Sequence, residues 1–195
     1  MNLLKSIILT GIKHSGKSTQ GKALSSYYNC PFYDTDSVIQ ELTGKSPREI
    51  YNDEGKDSFL SAEKLACQYL KSISENKKII VATGGGICDN NEAIRFLTTN
   101  TVFIYLFVDE KTAIERIIRE AQTDGEKITN QDSIPSYLAK KNPQTISDLR
   151  NFFHNFYVER TKKYSMLADI TINQGDSSIE ENTKKIISAI KPIQH

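Results

Sequence analysis

Apolar residues along this chain fall into two rhythms. Solid blocks occupy residues 3–10, 77–83 and 101–108, the last reading Thr101-Val102-Phe103-Ile104-Tyr105-Leu106-Phe107-Val108. Short solid blocks rich in branched side chains predict strands buried on both faces of a parallel sheet. Elsewhere apolar positions recur every three or four residues. Phe59, Ala62, Leu65, Ala66, Tyr69, Leu70 and Ile73 mark a helix over residues 58–73. Further helices are predicted over 18–28, 91–97, 110–120, 145–167 and 178–193, with a short one over 47–51 started by Ser46 and Pro47. Phe32-Tyr33 ends a short second strand, and residues 169–173 form a last one. Strands alternating with helices predict an α/β fold: a three-layer open parallel sheet of about five strands, helices on both faces, crossovers right-handed.

Directly after the first strand comes Gly11-Ile12-Lys13-His14-Ser15-Gly16-Lys17-Ser18-Thr19, a full match to the phosphate-loop pattern G-x-x-x-x-G-K-[ST]. A helix follows, so the context agrees with the motif. Gly11 and Gly16 let the backbone take torsions closed to other residues, and successive N–H groups then line one concavity suited to phosphate oxygens. The positive end of the next helix faces the same point. Lys17 can reach the β- and γ-phosphates of ATP, and the Ser18 hydroxyl can ligate Mg²⁺. Gly11, Ser15, Gly16, Lys17, Ser18 and Thr19 are therefore the nucleotide-binding candidates.

Asp34 and Asp36 stand at or just beyond the carboxyl end of the second strand. Ligands bind along that edge of an open parallel sheet. A spacing of two aims the carboxylates apart, so one suits the metal and the other a substrate hydroxyl. Capping of the next helix explains Asp36 as well, but leaves Asp34 unexplained. Gly84-Gly85-Gly86 follows the third strand onto the same edge, where bare backbone can approach a ligand. Residues 122–142 are polar and weakly patterned, which suggests a lid inserted in a single domain spanning 1–195.

Charge narrows the partners. With 25 basic and 24 acidic residues the formal net charge is +1, no electrostatic case for nucleic acid or a membrane surface. The three cysteines, Cys30, Cys67 and Cys88, form no C-x-x-C pair, so zinc is not expected and a reduced, cytoplasmic setting is. No apolar run is long enough to span a bilayer, and no signal-peptide pattern opens the chain. A cytoplasmic monomer with a small-molecule substrate is the expectation.

Nearly the whole chain resembles the shikimate kinases. The likeness rests on residues 11–19, Asp34-Thr35-Asp36, Gly44, Gly55-x-x-x-Phe59-x-x-x-Glu63, Gly84-Gly85-Gly86 and Arg160-x-x-x-Tyr164-x-x-x-Ala168-Asp169. The resemblance implies a P-loop kinase with a lid, of the nucleoside-monophosphate-kinase group. It implies ATP-dependent phosphorylation of the 3-hydroxyl of shikimate, with ATP and Mg²⁺ as cofactors. It places Lys17 and Ser18 at ATP and Mg²⁺, Asp34 near the metal, and Arg116 on the adenine side. Asp36, Gly84, Gly85, Gly86 and Arg160 fall at the substrate, with Lys17 and Asp36 in the catalytic roles. Two positions depart from the family. An Arg follows the Phe that matches Phe59, where this chain has Leu60; the lid carries an Arg-Pro pair, where this chain has Ile134-Pro135. Each lost guanidinium removes a bidentate partner for a carboxylate or phosphate, which Leu and Ile cannot replace. Lys56, Lys127, Lys140 and Lys141 are candidates to compensate. The same losses leave two further readings open: a kinase of another hydroxylated metabolite such as gluconate, and a nucleotide-binding protein without catalysis.

Overall fold

The computed structural model describes residues 3–130, 133–175 and 177–193. Strand β1 (Ser6–Thr10) leads through the glycine loop into α1 (Lys17–Tyr28), and β2 (Phe32–Asp34) runs straight into α2 (Thr35–Thr43). A short α3 (Pro47–Glu49) widens into one turn over Ile50–Glu54 before α4 (Lys56–Asn76). Then come β3 (Ile80–Ala82), α5 (Asn91–Leu97), β4 (Thr101–Phe107) and α6 (Glu110–Ala121). A small hairpin, β5 (Thr123–Asp124) and β6 (Lys127–Ile128), precedes α7 (Ser136–Ala139), α8 (Ile146–Leu167), β7 (Ile170–Asn173) and α9 (Ile179–Ile190).

The five longer pairing strands form one sheet in the order β2-β3-β1-β4-β7, every neighbouring pair parallel. Register decides what meets at its edge. Ala82 pairs with both Leu9 and Asp34, so the residues after β1, β2 and β3 emerge side by side. Each face of the sheet carries its own core. Ile7, Leu9, Ile80 and Ile104 pack with Leu24 of α1 and Ile186 of α9. On the other face Ile8, Val81 and Phe103 pack with Ile39, Ala66 and Leu70 from α2 and α4.

The element ends differ from the expected ones for local reasons. Helix α4 starts at Lys56 because Gly55, at φ 92°, makes a turn that favours glycine. Helix α9 stops at Ile190, before Pro192, which has no N–H to continue the ladder. The segment 122–142 is the larger correction. It is no bare polar loop among its described residues: it holds the β5–β6 hairpin and α7. Ile128, Ile134 and Leu138 are buried there with Ile114, Ile117, Leu149 and Phe153, which fixes the segment onto α6 and α8. Gln131 and Asp132 lie outside the described residues.

Candidate active site

The glycine loop is wound as its motif requires. Gly11 has φ 146°, and a Cβ there would sit 2.7 Å from Ser15 Oγ and 2.8 Å from the Leu106 carbonyl oxygen. Only glycine fits. Gly16 enters α1 in the left-handed region at φ 88°. Lys17 folds back over the loop and donates to the carbonyls of Gly11, at 2.8 Å, and Ile12, at 2.7 Å. Burial pulls its ammonium pKa down to about 8, against the opposing pull of Asp36 and Asp34. Ser15 is buried beneath it, with Oγ 3.5 Å from Lys17 Nζ. Ser18 Oγ donates to Asp34 Oδ2 at 2.6 Å, and Thr19 lines the cleft beside it. Helix α6 braces the loop from outside. Arg116 donates to the His14 carbonyl at 2.7 Å, and Glu120 faces His14 Nδ1 at 3.2 Å. Arg116 thus sits against the loop, with one guanidinium nitrogen spent on its backbone.

The carboxylates divide their work differently from the expectation. Asp34, not Asp36, is the N-cap of α2: its Oδ1 accepts the Asp36 N–H at 3.1 Å. Capping therefore explains Asp34 after all, because the helix starts at Thr35, one residue after the strand ends. Asp34 keeps Oδ2 for Ser18, so it serves both helix and loop. Asp36 is left free of the cap and opens onto the cleft. Partial burial and the charge of Asp34 raise its pKa, while Lys17 and Lys13 oppose the rise.

The three glycines are not equivalent. Gly84 donates its N–H to Thr35 Oγ1 at 2.7 Å. A Cβ on Gly84 would lie 3.0 Å from Asp36 Oδ1 and 3.4 Å from Glu63 Oε1. One on Gly85 would come 3.4 Å from the Lys13 backbone nitrogen, whereas one on Gly86 would meet nothing within 4 Å. Carbonyls beyond them are tied to α8: Tyr164 donates to Gly85 and Arg160 to Gly86. Arg160 also pairs with Asp89, donates to Cys88 Sγ at 2.9 Å, and lies 4.8 Å from the Phe156 ring centre. It reaches the cleft already oriented from several sides.

Of the site residues expected from the sequence, all except Gly11, Ser15 and Arg116 line one cavity of about 760 Å³, which Ile134, Pro135 and Tyr137 also line. Three residues lining it, Lys13, Arg48 and Tyr137, and Glu63 buried behind Gly84, are not among the site residues expected from the sequence. Glu63 is fully buried; its Oε2 accepts from Asn90 at 2.9 Å, while Oε1 has no partner among the described residues. Burial raises its pKa to about 7. Its signal was visible: Glu63 falls between Phe59, Ala62 and Ala66 on the apolar stripe. Tyr137 stacks on Phe156 at 3.5 Å, and its buried hydroxyl has no partner among the described residues. Arg48 donates to the Ile134 carbonyl at 2.8 Å, and Lys13 to the Ser133 carbonyl at 3.3 Å. Of the lysines offered as substitutes for the lost arginines, Lys56 lines the cleft. Lys140 lies over the Tyr51 ring, 3.7 Å from its centre, and Lys141 5.3 Å from that of Phe152.

A parallel sheet, a phosphate loop after its first strand and a carboxylate across the cleft from the loop lysine define a P-loop small-molecule kinase. The family model for shikimate kinase matches residues 13–191. The chain belongs to the shikimate kinase family, whose members are ATP-dependent kinases. Shikimate kinase of Aquifex aeolicus (strain VF5) is 31% identical over 185 residues, covering 95% of each chain. Shikimate kinase 1 of Hamiltonella defensa is 31% identical over 189 residues, covering 96% of each. Among solved structures, shikimate kinase from Acinetobacter baumannii in complex with shikimate superposes with a TM-score of 0.77 at 25% identity, covering 98% of this chain and 95% of that one.

Proposed function

We propose that this chain transfers the γ-phosphoryl group of ATP to the 3-hydroxyl of shikimate, giving shikimate 3-phosphate and ADP. The observation that carries the reading is the facing pair Lys17 and Asp36 in one cleft, in a chain that matches shikimate kinases over almost its full length. Lys17 meets only neutral oxygens and forms no ion pair among the described residues, which suits a site for phosphate. Ser18 Oγ and Asp34 Oδ2 present two hard oxygens 2.6 Å apart, the donor type that Mg²⁺ takes alongside phosphates. When bound, Mg²⁺ supplies charge neutralisation at those phosphates. Gly11, Ser15, Gly16 and Thr19 frame the nucleotide side, with Arg116 bracing the loop from α6. On the acceptor side the Asp36 carboxylate orients the hydroxyl and takes its proton as the new O–P bond forms and the bond to ADP breaks. Gly84 keeps the backbone low beside Asp36, and Gly85, Gly86 and Arg160 complete the floor.

A gluconate-type acceptor is not favoured beside the full-length likeness to shikimate kinases. A non-catalytic role is hard to reconcile with Lys17, Ser18, Asp34 and Asp36 in one place. Among the described residues no helix is long and apolar enough to cross a membrane. The buried, free thiol of Cys67 fits the reducing cytoplasm, where we place the enzyme as a monomer. Purified protein should release ADP from ATP only when shikimate is added, and Lys17→Ala should lower that rate about 10³-fold. No stimulation by millimolar shikimate would sink the assignment.

A further inference from the structure

We infer that Arg48 of α3 and Lys13 of the glycine loop form an anion clamp that takes the acceptor's carboxylate, replacing the guanidinium absent at Leu60. The inference rests on the shikimate reading for the identity of the acid, but its own basis is the pair of cations.

The two arrive from opposite walls of the cleft and meet under the lid. Arg48 Nη2 is held by the Ile134 carbonyl, and Lys13 Nζ by the adjacent Ser133 carbonyl. Binding to neighbouring backbone oxygens brings the two charges together. The field of Arg48 is among the causes that lower the Lys13 pKa, after burial. Neither cation forms an ion pair among the described residues. Of the acids lining the cleft, Asp36 stays open, and its field and that of Glu120 favour the charged form of Lys13 against burial and Arg48; the others are occupied. Asp89 serves Arg160 and Lys163, Glu159 serves Lys163, and Asp34 holds Ser18. Two half-buried, neighbouring cations repel, and each keeps N–H groups beyond the one spent on the lid. A carboxylate between them relieves the repulsion and accepts from both. Leu60 lines the same cleft as an apolar wall, so the positive charge enters from α3 and the loop instead of α4.

The test is a substrate-by-protein cycle. Wild type, Arg48→Gln, Arg48→Lys and Lys13→Gln are assayed for kcat/KM with shikimate and with its uncharged methyl ester, and for shikimate binding by calorimetry with ADP present. Wild type should prefer shikimate by roughly 10- to 100-fold. Arg48→Gln should lose at least about tenfold on shikimate, change less than about twofold on the ester, and leave the KM for ATP in place. Lys13→Gln should show the same pattern more weakly. Arg48→Lys, which keeps the charge but not the fork, should fall between and covers the case in which the Gln variant does not fold. Equal losses on both substrates would reduce Arg48 to a lid tether and overturn the clamp. So would an unchanged preference for shikimate in the Gln variants. A protein that binds shikimate through Arg48 but does not phosphorylate it would retain the clamp and overturn the proposed reaction. A protein that phosphorylates shikimate with Arg48 silent does the reverse.

Discussion

The two halves of the cleft are built from different material. The phosphate half is mostly backbone: Gly11 and Gly16 in torsions that exclude side chains, and a lysine folded onto the loop's own carbonyls. The acceptor half is mostly side chains, drawn from α2, α3, α4, the lid and α8. Backbone cradles tolerate little change, because each torsion supports the next. Side-chain walls can be rebuilt, because a guanidinium carries the same charge and donors whichever helix delivers it. The first half keeps every residue of its motif, whereas the second has Leu60 and Ile134 where the shikimate kinase pattern has arginines, and on the clamp proposed above it draws its positive charge from Arg48 and from Lys13 of the loop.

The hardest test of this contrast falls on the one acceptor-side residue that cannot be supplied from elsewhere. Asp36→Asn removes the carboxylate that we propose orients the acceptor hydroxyl while keeping the shape. The expected fall in kcat is on the order of 10²-fold or more, with the KM for ATP unchanged. Steady-state kinetics that showed less than about a tenfold loss would move the base to another group, and Glu63 would be the next to test.

Backbone approach comes next in size. Gly84→Ala puts a Cβ 3.0 Å from Asp36 Oδ1, so either the carboxylate or the β3 edge has to shift. A displacement of a few tenths of an ångström at a reacting group should cost roughly tenfold in kcat. Gly86→Ala has open space around the new Cβ and should stay within about twofold. Equal effects at both positions would mean that the triple glycine acts through chain flexibility, not through contact with Asp36.

The sheet was legible in the sequence, and the packing of residues 122–142 was not. Ile7, Ile80 and Ile104 stand in solid apolar blocks, and a block buried on both faces has no other reading. Ile128, Ile134 and Leu138 are as deeply buried, but each stands among polar neighbours with no shared period. Their burial comes from α6 and α8, distant in sequence, which no local pattern reports. The nucleotide side was legible because its spacing is dictated by one ligand. Arg48 was not, because an arginine in the first turn of a short helix looks like any surface residue until Ile134, 86 residues on, is laid against it. The cap of α2 went to Asp34, because β2 and α2 meet with no loop between them, which residue types alone did not reveal.

Glu63, buried behind Gly84, makes stability depend on pH. Its folded pKa of about 7 lies above the ordinary value of 4.5, so the fold favours the protonated form. That contribution to stability is fully present below about 4.5 and is lost as pH rises through about 7. Glu63→Gln keeps an acceptor for Asn90 and removes the titration. Relative to wild type, the variant should therefore gain about 1–3 kcal/mol between those limits, read from denaturant midpoints across the range. A difference that does not change with pH between those limits would mean that burial does not raise the Glu63 pKa in the fold.

The smallest effect discriminates most finely. Leu60 is half-buried and lines the cleft, so an arginine there can reach both the acceptor and Glu63, three residues along α4. Ile134 offers less room, since it is fully buried against α6 and α8 although it borders the cleft. If Arg48 and Lys13 already hold the carboxylate, Leu60→Arg should lower the KM for shikimate only by roughly two- to fivefold, because charges sharing one partner do not add. In an Arg48→Gln background the same substitution should recover about tenfold, the share that a charged hydrogen bond carries. A hundredfold drop in KM from Leu60→Arg alone would show the native acceptor half to be depleted, not rebuilt. The contrast between a fixed phosphate half and a redistributed acceptor half would then become one between a complete half and an incomplete one.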